Sequence, residues 1–467
     1  MSDLVDRLTG ALGPSRVLSG ASVTDDDCHD ESLTATWRRP DAVVLPETVA
    51  EVAEVVQLAR AAGAPVTARG SGTGLSGACV PRAGGIVIAF RRMDRVLEID
   101  EENLVAVVQP GVTLERLEAE TAARGLVYPV FPGEMGGSLG GNVATNAGGM
   151  RAVRYGVTRH QVLGLEAVIG TGELIRTGGR FVKSTSGYDL TQLIVGSEGT
   201  LAVVTEVTLR LHPRIAHSAT LLAPFPTLAQ VSAAVPRIVR QGLAPSVLEY
   251  LDRLSMVGMS THAGLDLGIP SAVQETALAY LLVVLEEDDE GRLEANVHRL
   301  GVMLMEGGAL DAYVLPGHAA QALIRARERM FWAAKAAGAD DIVDTVVPRA
   351  QLPLFLASVA EIAAGHGALV AGCGHAGDGN VHLSVFQSDS EKRWLLLRAI
   401  YAESARLGGA ISGEHGIGTE KRAHFLELEP PARLALMRRI KAAFDPDGIL
   451  NPGVLFEAPA RGGIGDS

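Results

Sequence analysis

Cysteine is scarce: Cys28, Cys79 and Cys373 are the only three in 467 residues, odd in number and far apart. That excludes a disulfide framework, and no CxxC pair offers a structural zinc site. Basic charge is also in short supply. Lys and Arg total 41 against 54 Asp and Glu, a net charge of −13 with no basic block. A nucleic-acid binder that tracks phosphates shows the opposite balance. Long apolar runs are missing too: Leu281–Leu285 within LAYLLVVL is typical of the longest, far short of the ~20 residues of a membrane span. The opening MSDLVDRLTGALGP carries acids and no continuous apolar stretch, so no signal peptide is expected. A cytoplasmic protein is the expectation, with peripheral membrane contact left open.

What is present is a globular composition, 47% hydrophobic and 20% charged, which excludes a disordered chain. The length is about three times that of a usual domain, so two or three domains are expected. Glycine is unevenly spread: 24 of the 54 fall between Gly70 and Gly199, without the three-residue repeat of collagen. Just before this stretch, Ala42–Leu45 reads as a buried strand. TVAEVAEVVQLARAAG follows as a helix with a capping box at Thr48 and Glu51 and a stop at Gly63, and Pro65–Ala68 is a second strand. The chain then enters RGSGTGLSG.

Gly72, Gly74 and Gly77 match G-x-G-x-x-G, but a dinucleotide fingerprint needs a helix opening at the loop. Here ACVPRAGG and the strand Ile86–Phe90 follow instead. The better reading is a loop whose backbone amides wrap an anion without a helix. A second cluster, Pro129–Gly156, holds eight glycines and is too long for a turn. Backbone that closely approaches a large planar ligand explains it better than a flexible surface loop. GSEGTLAVVTEVTLRL then passes from a turn into an alternating strand, Val203–Leu211.

From about 215 to 405 the texture changes. Strands at Ala219–Leu222, Val247–Leu251, Tyr280–Leu285, Ala312–Leu315, Ala368–Cys373 and Val381–Phe386 alternate with helices near 227–241, 290–306, 318–337, 349–365 and 391–407. An α+β domain of sheet covered by helices is expected. The tail after Phe456 is expected to be disordered.

Three histidines stand in a suggestive arrangement. GHAGDGNVHL sets His375 and His382 on either side of a tight turn, and GEHGIG holds Glu414 and His415 between glycines. Two imidazoles and a carboxylate would make a metal site with open positions, and the remaining histidine a base for a hydroxyl proton. Spacing does not say which histidine is which. The lone residues His29, His160, His298 and His424 read as ordinary satisfied histidines. Arg327, Arg329 and Lys335 in IRARERMFWAAKAAG could grip a carboxylate or form a solvated basic face.

RGSGTGLSG, GGNVATNAGG with RYG, TSGYDL, GSEGTL, GHAGDGNVH, GEHGIG and FDPDGILNPG occur in one order. Together they closely resemble the D-2-hydroxyacid dehydrogenase group of FAD-linked oxidoreductases, in the vanillyl-alcohol-oxidase/p-cresol-methylhydroxylase superfamily. The match spans about 40 to 455. The resemblance implies an α+β fold: a two-subdomain FAD-binding domain of the p-cresol-methylhydroxylase type over 1–214 and an α+β substrate cap over 215–408. A C-terminal segment, 409–467, would complete the active site and pack on the FAD domain.

It also implies site residues. The pyrophosphate loop matches Arg69, Gly70, Ser71, Gly72, Thr73, Gly74, Leu75 and Ser76. The second flavin segment matches Pro132, Gly137, Ser138, Gly140, Gly141, Asn142, Thr145, Asn146, Gly148 and Gly149. Tyr155, Gly156, Glu198, Gly199, Val203, Val204 and Asn451 complete the implied cofactor contacts. No histidine stands in the first loop, so FAD would be non-covalent. His375, His382 and Glu414 match the relatives' metal ligands, usually Zn²⁺, and His415 their catalytic base. Asn380 matches an asparagine near the substrate, Arg327 the carboxylate-binding arginine, with Lys335 a further substrate cation.

The implied reaction is oxidation of a D-2-hydroxy acid (D-lactate, D-2-hydroxyglutarate or glycolate-like) to the 2-oxo acid. His415 would take the hydroxyl proton while hydride goes to flavin N5, and the electrons pass to an electron-transfer flavoprotein, quinone or cytochrome. A homodimer is compatible with the resemblance. Three departures stand out: Ala202 where GTLG is usual, Phe331 where hydroxyglutarate enzymes carry threonine, and no lysine before D-x-x-x-P in DDIVDTVVP. The last two point toward a lactate-like monocarboxylate. Two alternatives compete. One is an FAD-dependent non-redox transferase resembling alkyl-dihydroxyacetone-phosphate synthase; the other is a metallohydrolase.

Overall fold

The structure, a computed structural model, describes residues 2–458. The tail expected after Phe456 therefore lies, from 459 onward, outside the described residues. A four-stranded sheet is ordered Val17–Ser19, Ala42–Val44, Ile86–Ala89, Val66–Arg69, and Ile86–Ala89 runs parallel to both its neighbours. The helix Val49–Ala61 connects two of these strands. Its Val52, Val55, Val56 and Ala59 are fully buried on the sheet. Thr48 accepts from the Glu51 amide as expected, but the reciprocal bond goes from the Glu47 amide to Glu51, one residue earlier than a standard capping box. After Gly77 no helix follows before Ile86, as the sequence implied.

A second, antiparallel sheet is ordered Val96–Asp100, Val105–Val108, Ala202–Arg210, Val162–Ile169, Leu174–Gly178. The strand expected to alternate between buried and exposed over Val203–Leu211 is found at Ala202–Arg210. It lies third of five strands with both faces covered, so nearly every residue is buried. Val203 packs into the core of the first sheet, and Val204, Val207 and Leu209 into the opposite core. The second glycine cluster is not loop throughout: Leu139–Thr145 is a short helix capped by Ser138.

The third sheet has seven strands, all antiparallel: Tyr313–Val314, His217–Phe225, Ala279–Glu287, Val247–Asp252, Leu369–Gly374, Asn380–Phe386 and Asp341–Val346. Helices Leu228–Arg240, Glu290–Glu306, Leu352–Gly365 and Ser390–Arg406 bury Val235, Leu300, Phe355 and Ile400 on one face. Arg253–Ala263 and Gly317–Glu328 cover the other with Met256, Met259 and Leu323. All six strands and five helices expected in this part are present. Sequence reading missed the edge strand Asp341–Val346 and the helices Arg253–Ala263 and Ser271–Thr276. The helix expected at 318–337 breaks at Arg329 into Gly317–Glu328 and Met330–Ala336.

The C-terminal part returns to the first sheet. The Val66 amide donates to Ile449, and the Asn451 amide donates back to Val66, each at 2.8 Å. No helix among the described residues is long and apolar enough to cross a membrane.

Candidate active site

The loop Arg69–Gly77, the helix Leu139–Thr145, the turn at Ser197–Gly199 and Asn451 line one cleft. Eight of the residues that line it are glycines, and at several of them a side chain would not fit. A Cβ at Gly70 would stand 1.8 Å from Ser138 Oγ, the atom that accepts from the Gly141 and Ser71 amides. Gly70→Ala is therefore expected to displace the Ser138 cap, worth about 1 kcal/mol, and with it the cleft wall. Flavin retention should fall at least about tenfold, read as the visible-to-ultraviolet absorbance ratio after gel filtration.

Nineteen of the cofactor positions expected from the sequence line this cleft: the seven from Arg69 to Leu75, Pro132, Gly137, Ser138, Gly140, Gly141, Asn142, Thr145, Gly148, Glu198, Gly199, Val204 and Asn451. Six do not. Ser76 is buried behind the loop, where its carbonyl accepts from the Thr419 amide. Asn146 ends the short helix in a left-handed conformation and accepts from the Arg159 amide. Gly149 abuts the Phe131 carbonyl, Gly156 abuts His160, and Tyr155 packs edge-on against His212. Val203 points away because alternate strand residues face opposite sides.

Arg69 lines the cleft, yet its guanidinium is spent on the His29 carbonyl and Asp26. Cys79, Pro110 and Glu134 line the cleft without having been expected, and Ala202, the departure from GTLG, lines it as well. Burial pushes the Cys79 thiol up to about 12, so it stays protonated. Asn142 Nδ2 is a buried donor without a hydrogen-bond partner among the described residues, as a polar ligand would require.

A second chamber opens off the cleft and shares Thr73, Leu75, Pro132, Glu134, Glu414 and His415 with it. His375, His382 and Arg327 line it. His375 Nε2 and His382 Nε2 approach one oxygen of Glu414, at 3.2 and 3.1 Å. The three ligand atoms lie within 4.8 Å of one another, a donor set that fits a divalent cation. His375 Nδ1 is held at 2.6 Å by Glu249, a fully buried carboxylate, which fixes the ring and leaves Nε2 facing inward. Burial acts to lower the His375 pKa, but the Glu249 and Glu414 carboxylates outweigh it and hold it well above the usual value. Gly148 matters here too, since a Cβ would reach 2.4 Å from Glu414 Oε2.

His415 stacks on His382 with ring centroids 5.0 Å apart. Burial lowers its pKa to about 4, so it is neutral and able to accept a proton. Arg327 is 7% exposed. Its Nη2 lies 2.7 Å from Glu249 Oε2, close enough for an ion pair but off-axis for a hydrogen bond, and its Nε has no partner among the described residues. A guanidinium left this way can take an incoming carboxylate.

Two expected residues are elsewhere. Asn380 reaches neither chamber; its amide donates to Asp344 Oδ1 at 2.8 Å and to the Thr345 carbonyl at 3.0 Å. Lys335 pairs with Glu31 at 2.7 Å, half-exposed over Phe331 and Trp332, and is not part of the chamber lining.

The residue that orders this site was not foreseen. Asp344, fully buried, accepts from Ser412 Oγ at 2.7 Å and from the amides of Gly413, Glu414 and His415 at 3.0, 3.1 and 2.9 Å. Burial would raise its pKa, but His415, Lys421, His382 and the Asn380 amide hold it well below the carboxylate range. Glu198, from the GSEG turn, accepts from the Ile417 and Gly418 amides and pins the other end of the same loop to the cleft.

Comparison with known proteins agrees with this architecture. The family of FAD linked oxidases, C-terminal domain, matches residues 214–455, and the FAD binding domain family matches 40–178. An uncharacterized FAD-linked oxidoreductase of Mycobacterium tuberculosis is 56% identical, over 98% of this chain and 99% of its own. D-lactate dehydrogenase of Anaerostipes hadrus is 36% identical over 95% of both. The structure of 4-ethylphenol oxidase from Gulosibacter chungangensis shares the fold, with a TM-score of 0.78 at 18% identity over 98% of each chain. The cleft and these matches define an FAD-linked oxidoreductase of mixed α and β structure. The chain belongs to the FAD-linked oxidase family, of the type that includes D-lactate dehydrogenases.

Proposed function

We propose that this chain oxidises a D-2-hydroxy acid to the 2-oxo acid, with non-covalent FAD and a divalent cation, Zn²⁺ by its ligand set. One observation carries the reading: Glu414 and His415 line both chambers, so the redox cleft and the histidine–carboxylate cluster meet at one place. When bound, FAD supplies the two-electron acceptor for a hydride and the cation a Lewis acid. His375, His382 and Glu414 would hold the cation, and Arg327 would bind the substrate carboxylate. His415 would take the hydroxyl proton at a ring nitrogen. Asn380 and Asp344 would position these groups from behind. We assign 1–214 to flavin binding, 215–408 to the cap and 409–467 to closing the site between them. The electrons would leave to a quinone, cytochrome or electron-transfer flavoprotein.

The test is anaerobic mixing of the purified flavoprotein with paired D- and L-2-hydroxy acids while the visible flavin band is followed. D-isomers are expected to bleach it and L-isomers not. His415→Ala should slow bleaching about 10²–10⁴-fold, the usual contribution of a general base. If no hydroxy acid bleaches the band, the reading is wrong and a non-redox transferase takes its place.

A further inference from the structure

Beside the chamber that holds Arg327 lies another cavity. The two share a wall of Leu75, Phe331 and Ile342. The cavity carries aromatic residues: Tyr401, and Trp394 stacked on His424 with ring centroids 3.8 Å apart. It also carries two buried nitrogen groups. Lys421 is 6% exposed and His424 2%, and neither Lys421 Nζ nor His424 Nδ1 has a hydrogen-bond partner among the described residues. Asp344 Oδ2 is a countercharge 3.5 Å from Lys421 Nζ, but its lone pairs are taken by donors of residues 412–415, so the hydrogen bonds of the ammonium stay unmade. The acids of this cavity are engaged: Asp341 faces Arg393 at 3.9 Å, and Glu420 accepts from the hydroxyls of Thr34 and Thr419. His424 is thus not the satisfied histidine that its isolation in sequence suggested.

A buried nitrogen without a hydrogen-bond partner is unfavourable, most of all an ammonium. Two such groups in one cavity are accounted for by a ligand that accepts hydrogen bonds. The geometry points to this cavity as the subsite for the far end of the substrate. That substrate is a 2-hydroxy acid whose side chain passes Phe331, is apolar through its middle and ends in a carboxylate held by Lys421 and His424. The inference rests on the dehydrogenase reading above and deepens it. It places the second anion at Lys421 and His424, not at a hydroxyl on residue 331 or a lysine before Pro348, the features whose absence pointed to a monocarboxylate.

The experiment uses the FAD-loaded protein under anaerobic conditions with D-lactate, D-2-hydroxyoctanoate and D-2-hydroxysuberate. The diacid is expected to bleach the flavin about tenfold more efficiently than the monoacid of equal length, the yield of one charge-assisted pair. Ser390→Trp, at the exposed rim of the cavity, should remove that advantage and leave D-lactate unchanged. As a readout without turnover, suberate should quench Trp394 fluorescence saturably, and the quench should be absent in Lys421→Met protein that retains flavin.

Equal efficiency for monoacid and diacid overturns the inference, and so does absence of quenching. A plug that slows D-lactate and diacid alike marks an access path instead. One that slows only flavin reoxidation marks an acceptor site; both outcomes overturn it. If no hydroxy acid bleaches the flavin, the dehydrogenase reading fails separately, and the suberate titration still reports on the cavity.

Discussion

Treating the protein with a strong chelator is expected to leave its flavin in place and slow bleaching by a D-2-hydroxy acid about a thousandfold, with Zn²⁺ restoring the rate. The magnitude follows from the ~4 kcal/mol that a Lewis acid contributes by stabilising a developing alkoxide. Flavin should stay because the cleft is walled by the Arg69–Gly77 loop and the Leu139–Thr145 helix, and only Glu414 of the proposed ligands reaches it. Glu249→Gln supplies the graded version. It weakens the support of His375 Nδ1 and removes the charge paired with Arg327. Metal affinity should fall about 10–100-fold, as for other carboxylates that orient a metal-bound histidine, and the KM for hydroxy acid should rise with it. Bleaching that is indifferent to chelator and to Zn²⁺ would remove the cation from the reaction, whatever the fate of the flavin. Metal content measured on the same samples separates a failed extraction from a genuine negative.

The parts of this site that could be read in the sequence are those carried by short contiguous motifs. RGSGTGLSG and GGNVATNAGG announce close backbone approach through missing side chains, and the loop context excluded a helix after Gly77 correctly. GHAGDGNVH folds back at Asp378–Gly379 and brings His375 to His382, ring centroids 5.0 Å apart. What could not be read are contacts between distant segments. Glu249 and Asp344 come from different strands of the seven-stranded sheet and meet the histidines only once that sheet is ordered. A signal did exist: each is an acid flanked by apolar residues, Glu249 in VLEYL and Asp344 in IVDTVV, and a buried charge of this kind needs a partner. Lys335 was misplaced for a local reason. On an unbroken helix it would lie within about 80° of Arg327, but the break at Arg329 turns it outward to Glu31.

Asp344 is where the second large effect is expected, and its two oxygens divide the prediction. Oδ2 gathers Ser412 Oγ and the amides of Gly413, Glu414 and His415, while Oδ1 takes the Asn380 amide and faces His382 Nδ1 at 3.8 Å. Asp344→Ala strips the loop of its acceptor and leaves Lys421 buried without its countercharge. Breaking a buried charged network in this way costs about 3–5 kcal/mol, so the melting temperature should drop by several degrees and bleaching should be lost. Asp344→Asn is the sharper test. The amide oxygen can keep the Oδ2 side, because an NH₂ there would oppose three N–H donors and Ser412. The NH₂ must then face the Asn380 amide, where donor meets donor. The 412–415 loop should stay in place, with flavin bound and a smaller loss of stability, while Asn380 and His382 shift. The expected signature is a kcat reduced about a hundredfold with KM nearly unchanged, since Arg327 is untouched. A uniform loss of folded protein with normal turnover in the remainder would make Asp344 a purely structural residue. Normal kcat in a stable Asp344→Asn protein would show that the order it imposes on His382 and His415 is not needed for the chemistry.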